Sequence, residues 1–135
     1  MRNILENKFW WAARSFAAVI VFGFSIVLSQ ASGLFISEYS EGGSGFGNEK
    51  YLEIYNPTTE DIDLSNYAYA NTTNAPTTVG EYEFWNNFPD GAVIASGDVY
   101  VIAHPDAAAD ISVHADETNQ YLSNGDDGYC IVEGV

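Results

Sequence analysis

From residue 34 onward the chain is written in short apolar runs of two-residue period, the spacing of half-buried strands and not of helices. Tyr51–Tyr55 shows it best, with Leu52 and Ile54 on one face and Tyr51, Glu53 and Tyr55 on the other. Strands are predicted over Leu34–Tyr39, Tyr51–Tyr55, Ile62–Tyr69 with a kink near Ser65-Asn66, Glu81–Trp85, Asn119–Leu122 and Tyr129–Val132. Ala92–Ala95 and Asp98–Ala103 flank Ser96-Gly97 and read as a hairpin. Between the runs lie turn formers: Asn56-Pro57-Thr58, where proline cannot donate to a ladder, and Phe88-Pro89-Asp90-Gly91, where proline presets φ and glycine accepts a positive one. The alanine-rich Pro105–His114 stretch has room for one or two helical turns. Six to eight short strands at this spacing predict an all-β, antiparallel sandwich or barrel.

Residues 1–31 follow a different pattern. Arg2, Lys8 and Arg14 make the amino end positive, Ser15–Ser29 is almost wholly apolar, and Ser29-Gln30-Ala31 places small residues at the first and third positions of a cleavage signal. The expectation is a helical secretory signal peptide over 1–31, cut between Ala31 and Ser32, and a secreted domain over 32–135 with no membrane contact after cleavage. A retained anchor over Phe9–Leu28 is the competing reading. Arg14 interrupts it, and the apolar run after Arg14 falls short of the ~20 residues that span hydrocarbon.

Charge narrows the partners. The whole chain carries 4 basic and 19 acidic residues, a net −15. Cutting after Ala31 removes Arg2, Lys8, Arg14 and Glu6, which leaves Lys50 alone against 18 acids and moves the net charge to −17. Nucleic-acid affinity depends on Lys and Arg displacing counterions at phosphates, so direct nucleic-acid binding is not expected. The acids serve as a solvated surface, and bound divalent cations are the main alternative use for them. Cys130 is the single cysteine, so no disulfide framework exists within the chain; it is a buried thiol or pairs with a residue from elsewhere.

Little of the sequence carries catalytic chemistry. Gly43–Gly47 lacks the helix that a phosphate-cradling loop needs directly after it. His104 and His114, with Asp106 and Asp110 between them, have no zinc spacing and read as exposed or capping residues. No Gly-x-Ser-x-Gly elbow supports a hydrolase. Carboxylate pairs such as Glu81/Glu83, Asp116/Glu117 and Asp126/Asp127 are expected by chance at this acid content. Calcium is the one cofactor for which ligands can be named. Asp61-x-Asp63-x-Ser65 begins like a calcium loop but has Asn66 and Thr72 where glycine and glutamate belong, and Asp126 and Asp127, or Glu38 and Glu41, are further candidates. Tyr82, Phe84, Trp85 and Phe88 cluster on one segment, as a carbohydrate or protein contact would use them and as a core would too.

The order of these pieces resembles the lamin tail domain family. The matching text is Ile36-Ser37-Glu38-Tyr39 with Glu41-Gly42, Lys50–Pro57, Ile62–Tyr67, Phe88–Ile94, Ser96–Ala103 and Asn124–Asp127. The resemblance implies an immunoglobulin-like antiparallel β-sandwich without catalytic residues. Such domains usually continue past the Gly-Asp-Asp segment, so it also implies that the last strand or strands are missing here and that an exposed edge lies near Tyr129–Val132. The function expected is a secreted adhesion, targeting or protein-interaction module in a larger extracellular protein, its partner an unidentified protein or extracellular polymer. The alternative is an accessory module ahead of an extracellular nuclease or phosphoesterase, as in bacterial proteins with modules similar to this one.

Overall fold

The computed structural model describes residues 33–43, 47–74, 76–122 and 127–135; the expected signal peptide lies outside them. The strands are β1 (Phe35–Glu41), β2 (Lys50–Tyr55), β3 (Ile62–Asp63), β4 (Tyr67–Thr72), β5 (Phe84–Asn87), β6 (Val93–Ile94), β7 (Val99–Ala103), β8 (Glu117–Thr118) and β9 (Gly128–Glu133). One short helix, α1 (Ala109–Ser112), lies between β7 and β8. Sheet order is β1-β2-β7-β8 in one layer and β5-β4-β9 in the other, with β3 and β6 as a two-stranded ribbon. All pairs are antiparallel except β7 with β8. No described helix is long and apolar enough to cross a membrane.

The core follows from the alternation. Leu52 and Ile54 of β2 pair with Ile102 and Tyr100 of β7, and the four side chains face the second layer. Burying each such aliphatic side chain fully stabilises the fold by about 1.5–3 kcal/mol. Ile36 and Tyr39 of β1, three residues apart, also point inward, which strict alternation forbids. A register shift between Ile36 and Glu38 supplies the extra residue, and Tyr39 reaches Tyr129 of β9 with ring centroids 5.6 Å apart. From the other layer, Tyr69 of β4 meets Phe88 at 5.5 Å, and Phe88 meets Tyr100 edge-on at 5.4 Å. This row of rings links the two sheets.

Several expected elements shift, each for a local reason. The Ile62–Tyr69 strand divides into β3, a 3₁₀ turn over Leu64–Asn66 and β4, because Asp63 caps the turn by accepting from the Ser65 amide at 2.8 Å. The fourth strand starts at Phe84 and not at Glu81, since the Glu83 carboxylate is drawn into the loop before it by Thr73 and Thr77. The predicted Ala92–Ala103 hairpin does not form. Gly97 (φ 73°) does make a turn, but β6 pairs with β3 while β7 joins β2. Buried Asn56 holds that crossing, its Nδ2 donating to the carbonyls of Ile94 at 3.0 Å and Ala95 at 3.1 Å. Asn119–Leu122 is not a strand. The strand there is β8, just before it, which extends the first sheet in parallel while Asp116 accepts from the Val101 amide. β9 forms as expected and stands at an edge of its sheet.

Candidate functional site

The inner face of the β5-β4-β9 sheet is apolar at one end and polar at the other. Along β4, Tyr67 and Tyr69 point into the core, and the two-residue period carries Asn71 to the same face. Asn86 of β5 stands opposite Tyr69, and Phe84 opposite Asn71. Asn86 Nδ2 donates to the Tyr69 carbonyl at 3.1 Å and to Asn71 Oδ1 at 3.3 Å. Across the gap, β8 and the segment after it bring Glu117, Asn119 and Tyr121. A cavity of about 370 Å³ opens here between the layers, with Asn71, Phe84, Asn86, Asn119 and Tyr121 among its walls.

A hydrogen-bonded chain underlies it. Asn119 Nδ2 donates to the Tyr69 hydroxyl at 2.8 Å, and the hydroxyls of Tyr69 and Tyr100 donate to the two oxygens of Glu117, each at 3.3 Å. Burial is the main force raising the Glu117 pKa, partly offset by the two tyrosine donors. Burial likewise pushes Tyr69 and Tyr100 well above the ordinary phenol value, and the Glu117 charge adds to both. The donors around Glu117 are phenols that do not ionise at neutral pH, so the group is a structural acceptor beneath the cavity. Asn119 Oδ1 accepts from the Tyr121 amide at 2.8 Å and thereby fixes the backbone that presents the Tyr121 ring.

The rim is held by carboxylates that accept backbone hydrogens. Glu83 takes the amides and hydroxyls of Thr73 and Thr77, four contacts between 2.9 and 3.2 Å. These bonds, led by the Thr73 amide, lower its pKa to about 2. Asp127 Oδ1 accepts from the Asn74 amide at 2.7 Å.

The outer face of the same sheet is different in character. Trp85, Ala70 and Cys130 lie side by side across β5, β4 and β9. Tyr82 packs edge-on against Trp85 at 5.6 Å and hydrogen-bonds to Cys130, which raises the Tyr82 pKa. Ala68 and Ala70 are fully buried beneath this cover, whereas Trp85 keeps 52 % of its surface exposed. Cys130 is a free, half-buried thiol, less enclosed than a core residue. Phe88, the fourth member of the expected aromatic cluster, belongs to the core.

Among the described residues, the metal candidates Asp61 and Asp63 are not brought together with Asp127. Asp61 accepts from the Ser96 amide at 2.9 Å, and Asp63 from Ser65, a bond that lowers the Asp63 pKa. Both precede the start of β4, while Asp127 lies beside its far end, where Thr72 pairs with Gly128. Asp126 lies outside the described residues. No group of three or more His, Cys, Asp or Glu that could hold a metal occurs among the described residues. His104 has a capping role, its Nδ1 accepting from the Asp106 amide at 3.1 Å. His114 borders a shallow cleft of about 190 Å³ on the outer face of the first sheet, with Glu38, Glu53 and Asp110. Glu38 and Glu53 face each other across β1 and β2, an unfavourable pairing, relieved by Tyr51 donating to Glu38 at 3.0 Å and Ser37 to Glu53 at 2.7 Å.

Sequence reasoning passed over Asn71, Asn86, Asn119 and Tyr121. A signal was present for Asn71, because a polar side chain falls on the buried phase of the Tyr67-Tyr69 row. Asn119 and Tyr121 gave none, since their place depends on β8 joining β7 in parallel.

No curated protein matches the chain. Residues 28–132 match the family described as Lamin Tail Domain, a span that contains every strand but the last residue of β9. The two packed sheets are the immunoglobulin-like all-β architecture of that family, a fold that serves protein interaction, and the chain belongs to the lamin tail domain family.

Proposed function

We propose that the chain is exported and acts as a non-catalytic module for adhesion, targeting or protein interaction within a larger extracellular protein. The observation that carries this reading is the outer aromatic face, where Trp85 stands half exposed on an edge strand with Tyr82 packed against it. Large rings held rigidly at a surface give much contact area at little entropic cost and are favoured anchors in interfaces. Charge supports a partner other than nucleic acid. Lys50, the one basic side chain after Arg14, donates through Nζ to the Leu122 carbonyl at 3.2 Å and is engaged within the fold. The half-buried acid Glu117 is engaged as an acceptor by the hydroxyls of Tyr69 and Tyr100, a structural role within the fold.

Expression in a secreting host tests the export step, with mass spectrometry of the product. A medium fraction starting at Ser32 is expected, and an uncut, cell-retained chain would refute export. A solid-phase assay on envelope proteins and extracellular polymers tests the surface. Trp85→Ala should weaken capture, and equal capture would remove the aromatic face from the proposal. Hydrolysis of DNA or phosphate esters in proportion to the chain would overturn the non-catalytic reading.

A further inference from the structure

We infer that the cavity between Asn71 and Tyr121 is a binding site for a neutral oligosaccharide. Asn71 is a polar side chain on the core face of β4, and only 6 % of its surface is exposed. Its Oδ1 accepts from Asn86, and no acceptor among the described residues takes its Nδ2 hydrogens. No buried side-chain polar atom among the described residues lacks a partner, so the Asn71 Nδ2 is not shut in the core: it opens to the cavity wall with its donor available there. Asn86 is immobilised by its bond to the Tyr69 carbonyl and offers the amide oxygen as a neighbouring acceptor. Sugar hydroxyls both donate and accept, and adjoining asparagine amides present both functions without charge.

Two aromatic rings complete the site. Phe84 is 51 % exposed and Tyr121 78 % exposed, and both border the cavity. Neither is needed by the core, and flat apolar faces beside amide groups suit the C–H faces of a pyranose ring. The backbone that presents Tyr121 is held by the bond from its amide to Asn119, itself anchored on the Tyr69 hydroxyl, which lowers the backbone ordering required on binding. The volume of about 370 Å³ lies within the roughly 300–1,000 Å³ of small-ligand sites. Among the described residues the formal charge in the wall is the Asp127 carboxylate, and the chain as a whole is strongly acidic, so anionic sugars and phosphates are disfavoured.

The inference does not depend on export or on the Trp85 face, so the tests separate. Heteronuclear NMR of the purified chain is followed during titration with cellohexaose, xylohexaose and chitohexaose, with an oligogalacturonate as the anionic control and a glycine-rich peptide as the amide control. One neutral sugar is expected to move the side-chain amide resonances of Asn71 and Asn86 at millimolar concentration or below. Asn71→Ala and Tyr121→Ala should each weaken that binding about tenfold, the loss of one good contact, while Val113→Ala, on the far side of the first sheet, leaves it unchanged. If Asn71→Ala does not fold, Tyr121→Ala decides alone, since its ring is largely in solvent. The inference falls if no neutral sugar moves those resonances, if affinity survives Tyr121→Ala, or if the oligogalacturonate or the peptide binds as tightly.

Discussion

Replacing Asn56 with alanine should destabilise the domain more than any other polar substitution in the described structure. The side chain is wholly buried and makes five hydrogen bonds. Nδ2 donates to the carbonyls of Glu60 at 2.8 Å, Ile94 at 3.0 Å and Ala95 at 3.1 Å, and Oδ1 accepts from the Thr58 amide at 3.0 Å and hydroxyl at 2.7 Å. The Thr58 hydroxyl retains the Glu60 carbonyl as a partner, so its loss is partial. The Glu60 carbonyl keeps that hydroxyl and the Ala95 carbonyl keeps the Asp98 amide, whereas the Thr58 amide loses its acceptor and the Ile94 carbonyl loses a donor where β6 gives way to the crossing. At about 1 kcal/mol net for each bond lost, the substitution costs about 3–5 kcal/mol, a large part of the roughly 5–15 kcal/mol available to a domain. Asn56→Asp should be worse at neutral pH, because it turns a carboxylate oxygen toward three carbonyl oxygens. Urea unfolding followed by Trp85 fluorescence reads both, and a lower midpoint at unchanged slope reports stability alone. A loss below about 1 kcal/mol, or an aspartate variant milder than the alanine one, would refute the reasoning.

Three further outcomes are expected. Glu117→Gln should raise the melting temperature at pH 7: burial lifts the Glu117 pKa above 4.5, so its ionised form burdens the fold above that raised value, and the gain should fade as pH falls and vanish below 4.5. Glu83→Gln should lower it, because the Glu83 pKa drops from 4.5 to about 2 on folding; that contribution is present above pH 4.5, and the difference from the native chain should close between pH 4.5 and about 2. Calcium at millimolar concentration should leave the melting temperature unchanged, since Asp61, Asp63 and Asp127 each serve a backbone amide at separate places; a rise of several degrees would restore them as ligands.

Local pattern was enough to read the strands whose two faces differ. β2 and β7 are legible because Leu52, Ile54, Tyr100 and Ile102 alternate with residues of the outer face, and β9 because a turn-rich segment precedes a run of β-formers. Pairing was less legible. Ser96-Gly97 makes a turn, but which strands flank it depends on Asn56, forty residues earlier, gripping Ile94 and Ala95. A two-residue strand such as β8 has no period of its own and is defined by the β7 edge that receives it. The cavity was hidden for the same reason. Three of its walls come from β4, β5 and the segment after β8, and nothing in one segment announces that the others will face it.

Its position at one end of the sandwich has a physical basis. Between two sheets about 10 Å apart, the middle must be filled by side chains that exclude water, and Tyr69, Phe88 and Tyr100 do this as a row of rings. At the end of the inner face the same strand phase still points inward, but only one sheet remains to cover it, so asparagine can replace an aliphatic residue without losing a full shell of contacts. Asn71 and Asn86 occupy that position, and the tyrosine hydroxyls bonded to Glu117 and Asn119 mark the boundary between dry core and polar mouth. Lys50 ties the far wall to β2 through the Leu122 carbonyl. Stability thus resides in the ring-filled middle and in the Asn56 crossing, at the opposite end of β2 from Lys50, and side chains at the mouth are free to vary with the ligand while the strands that hold them stay fixed.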